Sequence, residues 1–166
     1  EAAMIGMKLA PGLGRRFSAE AWGCLDGAIW ERARSEALSA VDRTPFEVYG
    51  YDIDEKAVEL TLENSRKAGV GGFVRAKKQE IAQFAPEQSR GTVVCNPPYG
   101  ERMLEVRQAE EIYQTMGKVF LGLKNWNFYI ISPSERFESL FGKKADKKRK
   151  LYNGMIKCEL FQYFKR

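Results

Sequence analysis

The 166-residue sequence predicts an α/β fold: a mostly parallel sheet that ends in an antiparallel hairpin. Three observations carry this. Strand-like and helix-like segments alternate from Phe46 to Phe141, the pattern of parallel strands joined by crossover helices. Thr92-Val93-Val94-Cys95 and Phe128-Tyr129-Ile130-Ile131 are short continuous apolar runs, as expected of strands buried on both faces. Near the end, Asn153-Gly154 separates two strand-like pieces, and Asn-Gly is a strong signal for a tight hairpin.

In chain order, Glu1 to Ala10 has helix-forming composition but no N-cap residue, so it reads as starting inside an element. Pro11-Gly12-Leu13-Gly14 and Arg15-Arg16-Phe17 form a loop. A helix from about Leu25 to Ala40 aligns Leu25, Ile29, Ala33, Ala37 and Ala40 on one face, which should cover a sheet. A strand over Phe46 to Tyr51 leads into Asp52-Ile53-Asp54, then a helix carrying Ala57, Leu60, Leu62 and Ala68 inward and closing at Gly69. Gly72 to Ala76 is a weaker strand. After the strand at Cys95 comes a helix over Val106 to Leu123, the strand ending at Ser132-Pro133, and a short helix over Glu135 to Phe141. The basic run from Lys143 reads as a loop, followed by strands at Lys150 to Tyr152 and Met155 to Phe164. Trp22, Trp30 and Trp126 are expected in packing roles.

Composition removes several classes of function. At 44% hydrophobic and 12% aromatic residues, the chain can build one packed domain but hardly two. No apolar run approaches the roughly 18 residues of a membrane span, and no secretory leader opens the sequence, so a cytoplasmic protein is expected. Three scattered cysteines, Cys24, Cys95 and Cys158, suit neither a disulfide framework nor a zinc site. With no histidine, imidazole bases and Ser-His-Asp chemistry have no residue to work with, and no metal is expected. The net charge of +5 is compatible with a polyanionic partner without establishing one.

In open α/β sheets ligands sit beyond the carboxyl ends of the strands, so the residues just after each strand come first. After Cys95 stands Asn96-Pro97-Pro98-Tyr99. The two prolines fix φ and remove two backbone donors, making a stiff turn. An exocyclic amine on a nucleic-acid base is a poor nucleophile, because its lone pair is delocalised into the ring. If the Asn96 side-chain oxygen and the Pro97 carbonyl accept its two hydrogens, the nitrogen becomes more tetrahedral and its lone pair becomes available. Tyr99 offers a flat face for an extruded base, worth about 1–3 kcal/mol by comparison with single-strand binders. A four-residue match of this kind arises by chance on the order of once in a thousand chains of this size. Asp52, at a strand end, is placed to accept both hydroxyls of a ribose, while Asp54 is better placed as a helix cap. Gly12-x-Gly14 follows a helix and not a strand, so it does not form a phosphate cradle.

The string Asn96-Pro97-Pro98-Tyr99-Gly100-Glu101-Arg102 resembles the motif IV form of the THUMP-associated class I methyltransferases, a family that includes 23S rRNA guanine-N2 methyltransferases. Glu1 to Gly6, Leu9 to Gly12, Arg16-Phe17, Trp22, Gly50 to Asp54 and Lys150 to Gly154 resemble further segments of the same family, so the resemblance covers nearly the whole chain. It implies a Rossmann-like class I methyltransferase sheet, S-adenosyl-L-methionine as cofactor and RNA as partner. It further implies that Asn96, Pro97, Pro98 and Tyr99 are catalytic, and that Asp52, Ile53, Glu80 and Asn96 bind the cofactor. Around Glu80, with Gln79 beside it, the sequence departs from the family's commoner aspartate. Arg15, Arg16, Arg102, Lys147 and Lys148 are candidate nucleic-acid contacts.

The same resemblance implies that residues 1–166 are the C-terminal portion of a catalytic domain, lacking its first strand and the glycine-rich loop called motif I. The isolated chain is then expected to bind the cofactor weakly and to be inactive. Adenine N6 in DNA is an alternative target, and a non-catalytic nucleic-acid binding module derived from a methyltransferase is an alternative class.

Overall fold

The structure is a computed structural model that describes residues 1–100 and 103–165. The chain divides into two compact units, Glu1–Gln79 and Glu80–Arg166.

In the first unit, α1 (Ala2–Gly6) and α2 (Gly27–Ser39) precede β1 (Val48–Asp52), α3 (Glu55–Lys67) and β2 (Val74–Lys78). β1 and β2 pair in parallel from Val48 opposite Val74 to Asp52 opposite Lys78. Ala3, Met7 and Val70 are buried, with Phe46, Phe73 and Val74 packed around them. The strand starts two residues later than predicted because Phe46 is used for packing, its ring stacked on Phe73 at 4.9 Å. Asp54 caps α3 as predicted, accepting from the Lys56 amide at 3.0 Å. The inward face of α3 differs from the expectation: Val58 and Ser65 are buried, whereas Leu60 is 56% exposed. That spacing of seven is two helical turns, so it selects one side of the helix.

α2 forms close to its predicted limits, with Asp26 accepting from the Ala28 amide. It does not cover a sheet in the way expected, since none of its residues is buried and Leu38 is 61% exposed. Trp22 is also 60% exposed rather than packed.

The second unit is a four-stranded sheet in the order β3-β4-β6-β5, made of β3 (Gly91–Cys95), β4 (Trp126–Ser132), β5 (Lys147–Asn153) and β6 (Ile156–Tyr163). β3 and β4 are parallel; β6 runs antiparallel to both its neighbours. The helices are α4 (Met103–Phe120) and α5 (Phe137–Phe141). Ala109, Tyr113, Met116 and Phe120 recur at helical spacing on one face of α4, and all are buried. They meet Phe128 and Ile130 of β4, Phe161 and Tyr163 of β6, and both ends of α5. Aromatic contacts dominate this core, including Phe120–Phe128 at 4.8 Å, Phe137–Phe161 at 4.5 Å and Phe141–Tyr163 at 4.6 Å. Each such pair adds about 0.5–1.5 kcal/mol beyond simple burial.

β3 is covered on one side only, which corrects the reading of double burial there, while on the same far face Tyr129 and Ile131 of β4 are half-buried and Gln162 of β6 is buried. Val93 and Cys95 pack against the core, while Thr92 is exposed and Val94 is 79% exposed. Period-two alternation explains it: α4 and α5 lie over one face, and every second side chain points to the other. The hairpin is present, but its two-residue turn is Gly154-Met155, one residue beyond the predicted place, since Asn153 still pairs with Ile156. Gly154 has φ +59°, as a turn with glycine first requires. β5 also begins three residues early, so Lys147 and Lys148 belong to a strand.

Candidate active site

Asn96-Pro97-Pro98-Tyr99 leaves the carboxyl end of β3 as irregular backbone. Asn96 is exposed and Pro97 is buried, so the stiff turn is anchored by its first ring and presents the asparagine outward. Among the described residues, neither the Asn96 carboxamide nor the Pro97 carbonyl makes a hydrogen bond. Two acceptors are thus free on one rigid turn, as the amine-polarising chemistry requires.

The next two residues are held from below. Tyr113, fully buried in α4, donates its hydroxyl proton to the Pro98 carbonyl at 2.9 Å. The hydroxyl of Ser132, buried at the end of β4, donates to that of Tyr113 at 3.2 Å and accepts from the Ser134 amide at 3.1 Å. Burial pushes the Tyr113 phenol up, which keeps it a neutral donor through the neutral range. Tyr99 is tethered at its far end: its hydroxyl accepts from Asn153 Nδ2, at the last position of β5, at 3.2 Å. Burial pushes the Tyr99 phenol up as well, with the Cys158 thiol as a further polar neighbour. Its ring therefore has a fixed position, which lowers the ordering cost of stacking a base on it.

Gly100 completes the turn. Its φ is +72°, and a Cβ there would lie 2.6 Å from both Cα and N of Val106 in the first part of α4. Only glycine permits this backbone so near the helix. Tyr113, Ser132, Asn153 and Gly100 were not singled out from the sequence as parts of the site. Gly100 alone carried a signal, its place directly after the motif. The others depend on which elements the fold brings together.

Asp52 is the last residue of β1 and is exposed. One of its carboxylate oxygens accepts from the Asp54 amide at 2.9 Å, and its carbonyl accepts from the Gln79 amide at 2.8 Å. The carboxylate is thereby oriented, with its other oxygen left for a ligand. Ile53 follows with 67% exposure, an apolar side chain beside an oriented acid. Glu80 is exposed and precedes the 3-10 turn Ile81–Gln83 without a side-chain cap bond. Asp52 and Ile53 belong to the first unit, and Glu80 and the Asn96 turn to the second.

The candidate basic contacts differ in availability. The Arg15 guanidinium lies 4.5 Å from the centre of the Phe17 ring, and the Arg15 carbonyl accepts from Arg34. Arg34 also pairs with Glu20 at 2.7 Å, and that hydrogen bond first of all holds the Glu20 carboxyl below its usual range. Arg15, Arg16 and Trp30 line a cavity of about 540 Å³ in this unit. Lys148 is committed to Glu138 at 3.1 Å and Glu159 at 3.3 Å. Arg102 lies outside the described residues. No group of three or more His, Cys, Asp or Glu side chains able to hold a metal occurs among the described residues. No helix among them is long and apolar enough to cross a membrane.

A parallel α/β architecture with an Asn-Pro-Pro-Tyr turn at a strand's carboxyl end defines a class, and comparison with known proteins places the chain within it. The chain belongs to the family described as UPF0020, RMKL-like, methyltransferase domain, whose model matches residues 1–162. It is 38% identical over 165 residues to YpsC of Bacillus subtilis (strain 168), whose name gives RNA methyltransferase as its candidate activity. It is 37% identical over 163 residues to ribosomal RNA large subunit methyltransferase K/L of Legionella pneumophila (strain Lens). These matches cover 99% and 97% of this chain, but 43% and 23% of those proteins, so the chain spans less than half the length of either relative. Among solved structures, a candidate methyltransferase complexed with SAH is similar at 40% identity and TM-score 0.93, covering 99% of this chain and 44% of that one. A Listeria monocytogenes protein described as a predicted N6-adenine-specific DNA methylase is similar at 37% identity and TM-score 0.90, over 99% and 43% of the two chains. The fold is that of these methyltransferases.

Proposed function

We propose that residues 1–166 belong to an S-adenosyl-L-methionine-dependent methyltransferase that methylates an exocyclic amino nitrogen of RNA, most specifically guanine N2 of ribosomal RNA. The observation that carries the proposal is the Asn96 turn: two unused acceptors, a buried proline and a tyrosine tethered at its hydroxyl, all at the end of β3. Asn96 and the Pro97 carbonyl accept the two amine hydrogens, which localises the nitrogen lone pair. Tyr99 stacks the extruded base and sets its plane. Pro98 holds the turn through its carbonyl bond to Tyr113.

Within the first unit, Asp52 has one carboxylate oxygen free for a ribose diol and Ile53 is an exposed apolar neighbour for a purine, which supports assigning the cofactor to these residues. S-adenosylmethionine would supply an electrophilic methyl group on a sulfonium. The similarity to a protein solved with SAH supports this assignment.

The similarity to a ribosomal RNA methyltransferase favours RNA. The similarity to the Listeria protein favours the second reading, adenine N6 in DNA, since the acceptor turn recognises an amino nitrogen and not its parent molecule. Tritiated methyl transfer to total RNA and to genomic DNA, assayed with these residues carried in a protein of the relatives' length, separates them. Labelled RNA is expected, abolished by Asn96→Ala; labelled DNA with unlabelled RNA overturns the assignment. No transfer to either, with nucleic-acid binding retained, identifies a binding module instead.

A further inference from the structure

β5 opens with four consecutive cations, Lys147, Lys148, Arg149 and Lys150, and it lies at the edge of its sheet with β6 as its one ladder partner among the described residues. A lysine on an edge strand is a common guard against edge-to-edge pairing, and that need is met by one or two charges. Lys148 is already neutralised by Glu138 and Glu159. Lys147, Arg149 and Lys150 are exposed and make no ion pair among the described residues. The same strand carries Tyr152, 66% exposed, and ends at Asn153, which donates to the Tyr99 hydroxyl. Side chains alternate along a strand, so the unpaired Lys147 and Arg149 share a face with Asn153 and its hydrogen bond into the Asn96 turn, while Lys150 and Tyr152 lie on the other face.

We infer that β5 is a guide for a single strand of RNA, with backbone phosphates on Lys147 and Arg149, on the face that Asn153 shares, and the target base delivered to Tyr99. The inference rests on the reading of the turn as the acceptor site of an RNA amino-methyltransferase. At about 3.4 Å per residue the six steps from Lys147 to Asn153 span about 20 Å. A stacked strand advances about 3.4 Å per nucleotide, so this length matches about six nucleotides. A strip one strand wide suits one row of phosphates, and a base must be unpaired to stack on Tyr99.

The test is fluorescence anisotropy of a labelled twelve-nucleotide single-stranded RNA, titrated with the chain over a range of sodium chloride concentrations. Three proteins are compared: wild type, Lys147→Gln/Arg149→Gln, and a control of equal charge loss, Lys56→Gln/Lys118→Gln. Each phosphate contact contributes about 0.7 to the slope of log affinity against log salt for single strands. The β5 variant is expected to lose about 1.4 from that slope and at least about threefold in affinity at low salt, more than the control loses. Circular dichroism checks that the sheet persists in each. RNA binding by wild type that the β5 variant matches, or that the control weakens equally, overturns the guide and leaves the methyltransferase reading standing. Tighter binding of a single-stranded DNA of the same length also overturns the RNA guide. A parallel methyl-transfer assay, with these residues carried in a protein of the relatives' length, that labels no RNA overturns the underlying reading independently of the binding result.

Discussion

Removing one oxygen atom, in Tyr113→Phe, tests how the acceptor turn is held. The tyrosine is fully buried, its ring centroid lies 5.0 Å from that of Phe137, and phenylalanine fills the same space without a cavity. What is lost is the donor to the Pro98 carbonyl and the acceptor for Ser132 Oγ. Ser132 keeps its bond from the Ser134 amide, so the main cost is a carbonyl left unsatisfied, about 1–3 kcal/mol. For a chain of this length that lowers Tm by on the order of 2 to 12 °C. The turn loses its fixed point as well, and small misplacement of reacting groups costs up to about a hundredfold in rate. Thermal unfolding by near-ultraviolet circular dichroism measures the first effect. The kcat and KM of methyl transfer measure the second, with the fall expected in kcat. Combining the change with Ser132→Ala should give a coupling of about 0.5–3 kcal/mol, because the two hydroxyls form one chain. A variant with wild-type Tm, wild-type kcat and no coupling would refute the idea that this chain holds the turn.

Burial pushes the Cys95 thiol up to about 11 from an ordinary value near 9.0, so the unfolded chain releases this proton first as pH rises. Stability from this group is complete below pH 9 and is lost between about pH 9 and 11, by about 2–3 kcal/mol, and Cys95→Ala should flatten urea unfolding midpoints over that window. At neutral pH the exposed Cys24 should react with iodoacetamide well before Cys95; equal labelling in the folded chain argues against the burial. Gly117→Ala places a Cβ 2.0 Å from the Phe141 carbonyl oxygen where α4 meets α5, so about 1–3 kcal/mol of stability should go, and an unchanged Tm contradicts that contact.

Much of the second unit was legible in the sequence because its elements are strongly periodic and long. The helix read over Val106 to Leu123 forms as α4, displaced by three residues at each end, and β4 is a run of large apolar residues bounded by Ser132-Pro133. The misreadings share a cause. A continuous apolar run such as Thr92 to Cys95 cannot show by itself whether one face is covered or two, and only the one-sided placement of α4 and α5 leaves Val94 outside. The exposed α2 face and Leu60 follow the same rule, since periodicity gives a side to a helix without giving it a neighbour. The Asn-Gly pair located the hairpin but not its register, which cross-strand pairing set one residue later.

The proposed acceptor motif could be read for a different reason: the chemistry we assign to it is contained in four adjacent residues, so no tertiary contact is needed to propose it. Its support was not legible, because Tyr113 comes from α4, Ser132 from β4 and Asn153 from β5, and only the fold brings these side chains to the motif. Asn153 shows how a local signal can hide a tertiary one. In the sequence it is half of a turn dipeptide, sufficient in itself to explain an asparagine; in the fold the turn is made by Gly154 and Met155, which releases the Asn153 side chain to hold Tyr99. If that is its role, Asn153→Asp keeps a side chain of the same shape but loses the amide donor, whereas Asn153→Gln keeps the donor on a longer arm. The first should lower kcat for methyl transfer while leaving the hairpin folded, and a hairpin that melts with kcat unchanged would return Asn153 to the turn.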